Sequence, residues 1–134
     1  MQTSRRPALA ALAVTLAVAA LAGCSGGGAV TDVDVEEAAT LLEDPDVTVV
    51  DVRTPAEFAE GHLDGAVNID LSDPAFADLV AELPQDGAYL VYCRTDNRSG
   101  TATDLMAEEG LTDVHDLDGG VVAWAEAGMP LVVG

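Results

Sequence analysis

The segment VYCRTDNRSG, residues 91–100, places a thiol beside two of the few cationic side chains in the sequence. After residue 23 the chain has no lysine and three arginines, and Arg94 and Arg98 both follow Cys93 within five residues. A thiolate is the nucleophilic form of cysteine, and neighbouring positive charge stabilises it. The spacing therefore predicts a cysteine nucleophile that acts on an anionic substrate, rather than a small buried hydrophobe at a strand end.

The N-terminus predicts export and lipid attachment. Residues 1–23 join early arginines to an apolar run and are interpreted as a signal peptide. The segment LAGC, residues 21–24, resembles the lipobox of bacterial lipoproteins, which implies cleavage before Cys24 and lipidation of that cysteine. An ordinary signal peptide that happens to meet a cysteine is the alternative. With Cys24 lipidated, only Cys93 would remain, and no intramolecular disulfide could form.

The exported form would be strongly acidic. All 24 Asp and Glu residues follow residue 23 and face three arginines there, which gives a net charge of −21. Nucleic acid and anionic lipid headgroups both bind basic surfaces, so neither is an expected partner. We expect membrane attachment through the acyl chains on Cys24, at the extracytoplasmic face of the bacterial cell membrane.

Strands and helices alternate along residues 32–134, after a predicted flexible tether at residues 24–31. Strand candidates are the apolar runs 47–52 and 88–93, with shorter ones at 30–33, 66–69 and 114–117. Helix starts are predicted at Asp34, Thr54, Asp73, near Ser99 and near Gly120. The pattern predicts one α/β domain with a mainly parallel sheet of about five strands and helices on both faces.

Cys93 lies where such folds bind ligands, because it ends a predicted strand shortly before a helix begins. The loop after Cys93 is expected to aim backbone N–H groups and a helix N-terminus at one point, an arrangement that binds anions and favours a thiolate.

Three ordered motifs resemble the rhodanese (sulfurtransferase) family over nearly all of residues 32–134. They are DVRTPAEFAEGHLDGAVNI at 51–69, CRTDNRS at 93–99 and LDGGVVAWAEAGMPL at 117–131. The resemblance implies a rhodanese-like α/β fold and a sulfurtransferase in which Cys93 takes sulfur from thiosulfate or a similar small anionic donor. A persulfide forms on Cys93, and a thiol or cyanide acceptor removes its outer sulfur. No cofactor or metal is implied.

The resemblance also implies which residues bind the substrate. Backbone N–H groups of the loop would stabilise the persulfide, and two arginines would orient the donor; the substrate-binding residues are Arg94, Thr95, Asp96, Asn97, Arg98 and Ser99. Asp96 departs from the glycine that many single-domain members have at this position. Its carboxylate is expected either to repel an anionic donor or to order the loop by accepting backbone hydrogen bonds.

Two other functions stay open on the sequence. Cys-dependent phosphatases, some with the same fold, use a seven-residue loop whose seventh residue is arginine, whereas here Arg98 is sixth and Ser99 seventh. A phosphatase or arsenate reductase is therefore the weaker enzymatic alternative. A non-catalytic or accessory rhodanese module, which carries sulfur or docks a partner at the membrane, is a hypothesis of a different class.

The remaining motif residues are predicted to be structural. Thr54 and Glu57 are expected to form a capping box at the start of a helix. The other expected roles are an Asp51–Arg53 ion pair, loop packing by His62, a tight turn at Gly119–Gly120, and a core Trp124 whose indole N–H bonds to a nearby carbonyl.

Overall fold

The computed structural model describes residues 28–134, so Cys24 and the predicted signal peptide lie outside the described residues. Five strands are present: β1 (Val30–Val33), β2 (Val47–Asp51), β3 (Val67–Asn68), β4 (Ala88–Tyr92) and β5 (Asp113–Leu117). Five helices accompany them: α1 (Val35–Leu41), α2 (Pro55–Glu60), α3 (Phe76–Ala81), α4 (Asn97–Glu108) and α5 (Gly120–Glu126). In this range no helix is both long and apolar enough to cross a membrane.

The strands form one parallel sheet in the order β1-β5-β4-β2-β3. The predicted α/β fold with a parallel five-stranded sheet is confirmed. β4 is the central strand, and its neighbours β5 and β2 are parallel to it. The carboxyl end of β4, from which Cys93 follows, therefore lies in the middle of the edge where open α/β folds bind ligands.

The sheet separates two hydrophobic cores because successive side chains of a strand point to opposite faces. On one face, Tyr89 and Val91 of β4 pack with apolar residues of α3 and α4, namely Phe76, Val80, Ala102 and Met106. On the other face, Leu90 and Tyr92 pack with Ala38 of α1 and with Val121 and Trp124 of α5. Helices thus cover both faces of the sheet, and Cys93 belongs to the α3–α4 core.

β1 spans Val30–Val33, as predicted, and its first two residues overlap the tether expected at 24–31. Two helix starts differ from the prediction. α4 begins at Asn97, two residues before Ser99. The third helix begins at Phe76 rather than at Asp73, because the Asp73 carboxylate accepts a hydrogen bond from the Ala75 N–H at 2.8 Å and forms a turn there.

Candidate active site

Cys93 is the first residue after β4, and only 1% of its surface is exposed. Residues 94–96 connect it to α4. Burial alone also suits an inert structural cysteine, so the thiol does not by itself indicate chemistry. The conformation of the loop around Cys93 does indicate chemistry.

The first turn of α5 binds the carbonyl groups of this loop. The Val121 N–H donates to the Cys93 carbonyl at 3.0 Å, and the Val122 N–H donates to the Arg94 carbonyl at 3.2 Å. A β-carbon on Gly120 would lie only 2.4 Å from the Cys93 carbonyl oxygen. Glycine is therefore required for this approach. The predicted tight turn is confirmed, with φ angles of +74° at Gly119 and +57° at Gly120.

These bonds also fix the direction of the loop N–H groups. No cis peptide bond occurs in the described residues. In a trans peptide the N–H of one residue points opposite to the carbonyl of the residue before it. Because the Cys93 and Arg94 carbonyls face α5, the N–H groups of Arg94 and Thr95 point away from it.

The N–H groups of residues 94–99 donate to no protein acceptor in the hydrogen-bond network of residues 28–134. Three belong to the loop and three to the first turn of α4, where helical N–H groups have no partner within the helix. We call these six groups the N–H cradle. Backbone donors of this kind, together with the positive end of a helix dipole, bind anions.

The two loop arginines are held differently. Arg98 forms a bidentate ion pair with Glu57 of α2, with nitrogen–oxygen distances of 2.7 and 2.8 Å. This pairing raises the pKa of Arg98 and lowers the pKa of Glu57 to about 2. Arg94 is exposed, and its side chain bonds to no other residue between 28 and 134. Arg94 is thus available to a dissolved anion, whereas Arg98 has a fixed position.

Glu57 has a role that local sequence does not reveal. Its Oε2 accepts from the Thr54 N–H at 3.1 Å and from the Thr54 hydroxyl at 3.0 Å, which completes the predicted capping box of α2. The same carboxylate holds Arg98, 41 residues away in sequence. The chain has 24 acidic residues, so the sequence alone does not indicate which carboxylate pairs with Arg98.

Asp96 is the N-cap residue of α4, but its side chain does not cap that helix. Its Oδ1 instead accepts a 2.5 Å hydrogen bond from the Gly119 N–H, in the turn between β5 and α5. Its φ angle is −133°, so position 96 does not use the left-handed backbone that favours glycine. Of the two roles expected for this carboxylate, loop ordering is the one that this hydrogen bond supports.

The other predicted binding residues surround the same loop. Thr95 and Asn97 have exposed side chains, and each contributes one backbone N–H group to the N–H cradle. Ser99 is fully buried, and its hydroxyl donates to the Asp96 carbonyl at 3.1 Å. All seven predicted residues, Cys93 to Ser99, therefore lie in one loop and the first turn of α4.

A buried carboxylate lies beside this turn. Asp116 of β5 is 7% exposed, and its Oδ1 has no hydrogen-bond partner among the described residues. Burial raises the pKa of Asp116 to about 6, with smaller contributions from the negative charges of Asp32, Asp96 and Asp118. The sequence pattern predicts a strand over 114–117 and does not distinguish Asp116 as a buried carboxylate.

The structural predictions agree with the contacts. Asp51 and Arg53 form a buried ion pair with a nitrogen–oxygen distance of 2.6 Å. The Trp124 indole N–H donates to the Pro130 carbonyl at 2.9 Å, and the side chain is buried in the α1–α5 core. His62 is buried; its ring stacks on Phe58 at 3.6 Å, as expected for loop packing.

A separate groove of about 400 Å³ lies between β1 and α1 and does not include the Cys93 loop; it is lined by Thr31, Val33, Asp34, Glu36, Glu37, Thr40, Leu41 and His115. Between residues 28 and 134, no three His, Cys, Asp or Glu side chains are arranged to hold a metal ion.

Comparison with known proteins decides the family. The family described as Rhodanese-like domain matches residues 34–127. The chain belongs to the rhodanese family. A rhodanese relative from Allochromatium vinosum, described as Sulfurtransferase, is 36% identical over 104 residues, 77% of this chain and 95% of that protein. Thiosulfate sulfurtransferase GlpE of Pseudomonas aeruginosa is 36% identical over 88 residues, 66% of this chain and 78% of GlpE.

A solved structure supports the rhodanese fold. The crystal structure of a rhodanese-related protein from Thermoplasma volcanium matches with a TM-score of 0.69 at 29% identity, over 77% of this chain and 98% of that chain. The family and fold implied by the three sequence motifs are therefore confirmed, and sulfurtransferases are among the relatives of this rhodanese.

Proposed function

We propose that this rhodanese is a sulfurtransferase, which moves a sulfane sulfur from thiosulfate or a similar small anionic donor to a thiol or cyanide. The N–H cradle beside Cys93 is the observation that carries the proposal. Six N–H groups without a protein acceptor, in the loop and helix turn that follow one cysteine, suit an anionic sulfur better than they suit an inert thiol. The relatives described as sulfurtransferases give independent support.

The reaction has two balanced steps. The Cys93 thiolate attacks the outer sulfur of thiosulfate, a new S–S bond forms, and the S–S bond of thiosulfate breaks as sulfite leaves with the electron pair. Cyanide or a thiolate then attacks the outer sulfur of the persulfide. The Cys93 thiolate leaves with the electron pair of the broken bond, and thiocyanate or an acceptor persulfide is released. No external oxidant or reductant is needed.

The surrounding groups have distinct tasks. The N–H cradle stabilises the anionic persulfide by donating hydrogen bonds from fixed positions. Arg94, exposed and without a side-chain bond to another described residue, attracts and orients the anionic donor. Arg98, held by Glu57, supplies a positive charge at a fixed place beside the loop.

Turnover by the purified full-length protein tests this function. We expect thiocyanate from thiosulfate and cyanide in the wild type, and a loss of at least about a hundredfold, as for removal of a covalent nucleophile, in Cys93→Ser. Cys24→Ser is the matched control, since it removes the other cysteine. Retention of most activity in Cys93→Ser would reject Cys93 as the nucleophile. A wild type that turns over no sulfur donor would favour the docking module, and hydrolysis of phosphate esters would favour the phosphatase.

We also propose that the protein is exported and anchored through lipid on Cys24, at the extracytoplasmic face of the cell membrane. The supporting observation is the sequence of residues 21–24, preceded by the arginine-bearing apolar segment. The acidity of the rest of the chain supports attachment by acyl chains rather than by charge.

A further inference from the structure

The Asp96 side chain does not cap the helix that begins after it. An aspartate at an N-cap ordinarily accepts hydrogen bonds from the second or third N–H of its own helix. In α4 those N–H groups belong to Arg98 and Ser99, and neither bonds to Asp96. The carboxylate reaches instead to the Gly119 N–H, just before α5.

We propose that Asp96 is a positioning residue for sulfur transfer. Its bond to Gly119 holds the loop against α5 and keeps the carboxylate away from the N–H groups that receive the sulfur. The proposal rests on the proposed function, because that function assigns the N–H cradle to the persulfide and the donor.

The backbone of Asp96 anchors the residue on the other side. Its carbonyl accepts from the Gly100 N–H at 3.0 Å and from the Ser99 hydroxyl at 3.1 Å. The carbonyl thus bonds to the first turn of α4, while the side chain bonds to the turn before α5. Asp96 therefore joins the two elements that enclose the loop.

The position of the Gly119 N–H is itself restricted. Gly119 has a φ angle of +74°, and a β-carbon there would lie 2.5 Å from the Ala123 side chain. The turn therefore admits little other than glycine and presents its N–H at one place. A donor fixed in this way binds the carboxylate without first being ordered.

A carboxylate free of Gly119 would compete with substrate. The N–H groups of Arg98 and Ser99 have no protein acceptor in residues 28–134, and they are the groups that an N-cap aspartate binds. If the Asp96 carboxylate accepted hydrogen bonds from these N–H groups, it would occupy the site proposed for the substrate anion. The short Asp96–Gly119 bond opposes that rearrangement.

The matched pair Asp96→Asn and Asp96→Ala separates this role from charge repulsion. Both variants remove the negative charge, but only Asn keeps an Oδ1 that can accept from Gly119. We expect kcat/KM for thiosulfate to be about tenfold lower in Asp96→Ala than in Asp96→Asn, mostly through KM, since one well-aligned hydrogen bond is lost. Equal kcat/KM in the two variants would overturn the proposal.

The amide proton of Gly119 gives a readout that needs no turnover. A short, charge-assisted hydrogen bond moves an amide proton downfield. In ¹⁵N-labelled protein we expect the Gly119 signal to move upfield in Asp96→Ala and to stay closer to the wild type in Asp96→Asn. An identical Gly119 signal in the wild type and Asp96→Ala would overturn the proposal.

Sulfite binding distinguishes failure of this inference from failure of the proposed function. We expect Asp96→Ala to bind sulfite about tenfold more weakly than Asp96→Asn, for the same reason as above. If this ratio holds while no variant transfers sulfur, then the proposed function is wrong and Asp96 still positions an anion site. If the ratio is one while the wild type transfers sulfur, then the function stands and the role of Asp96 is refuted.

Discussion

Asp116 is a buried carboxylate whose ionisation its surroundings oppose. The pKa of its side chain is raised to about 6, chiefly by burial. An aspartate in an unfolded chain titrates near 3.9, as a rough reference. Between these two values the native protein holds a proton that the unfolded chain has released. The contribution of Asp116 to the free energy of unfolding therefore falls as the pH rises from about 4 to about 6.

Asp116→Asn should therefore stabilise the protein at neutral pH. The gain at pH 7.5 has an upper limit on the order of 3 kcal/mol, from about two pKa units at about 1.4 kcal/mol each. We expect the gain in Tm to shrink as the pH falls below about 6 and to become small near pH 4, where native Asp116 is protonated. Thermal melts across this range check it, with exposed Asp104→Asn as the control for general charge removal. A gain of equal size at every pH would contradict the account.

The sequence predicted the roles of residues that depend on their own chemistry and on nearby residues. Trp124 is large and apolar with one N–H, so a core position with a carbonyl partner was expected from its chemistry. The place of Cys93 at the end of a buried strand was expected from the apolar run that precedes it. Contacts between distant segments were not predictable. Glu57 meets Arg98 across 41 residues, and Asp96 meets Gly119 across 23. Such contacts depend on how the strands are ordered.

At the scale of elements, Glu57 joins the start of α2 to the first turn of α4. In Glu57→Gln the ion pair is lost, but an amide oxygen remains to accept from Thr54; in Glu57→Ala both interactions are lost. We expect kcat/KM for thiosulfate to fall about three- to tenfold in both variants, because Arg98 loses its fixed position, a change of roughly 1 kcal/mol. The free energy of unfolding should fall by about 1 kcal/mol more in Ala than in Gln, through loss of the cap.

Enzyme kinetics and urea unfolding measure both effects, with exposed Glu60→Gln on the same helix as the control.

The pKa of Glu57 lies at about 2, below its ordinary value of 4.5. Its stabilising contribution is therefore complete above the ordinary value and is lost as the pH falls toward 2. The stability difference between wild type and Glu57→Gln should disappear over the same range. If Glu57→Gln has the same kcat/KM as the wild type, then Arg98 does not need Glu57 to hold it in place, and this account of Glu57 is wrong.

Helix starts were predicted well where a side chain bonds to its own helix. The capping boxes at Asp34 and Thr54 place α1 and α2 as expected. The N-cap of α3 is Ala75 and not Asp73, a difference of two residues, because an aspartate can begin either a helix or a turn and the local sequence suits both.

At the scale of the whole molecule, alternation of strands and helices predicted a parallel sheet but not its order. Order depends on crossover connections between segments distant in sequence, which periodicity does not encode. The observed order makes β4 central, and this places the Cys93 loop between the carboxyl ends of β2 and β5. The packing of α5 against the loop follows from the same order.

Attachment to the membrane is likewise a property of the whole chain. In cells that export the protein, we expect it to be labelled by a palmitate precursor and to sediment with membranes. Cys24→Ser should abolish the label and either release the protein or block its processing, because acyl chains supply the anchoring energy. Cys93→Ser is the control and should keep the label. Unlabelled wild-type protein that sediments with membranes would reject the lipobox interpretation.

Intact-mass measurement after incubation with thiosulfate tests the central claim most directly, since it detects the persulfide itself. We predict that the wild type gains the mass of one sulfur atom, that the gain maps to the peptide containing Cys93, and that cyanide removes it. Cys93→Ser should gain nothing, while Cys24→Ser gains sulfur as the wild type does. A wild type that acquires no sulfur, or a Cys93→Ser protein that acquires as much as the wild type, would contradict the account.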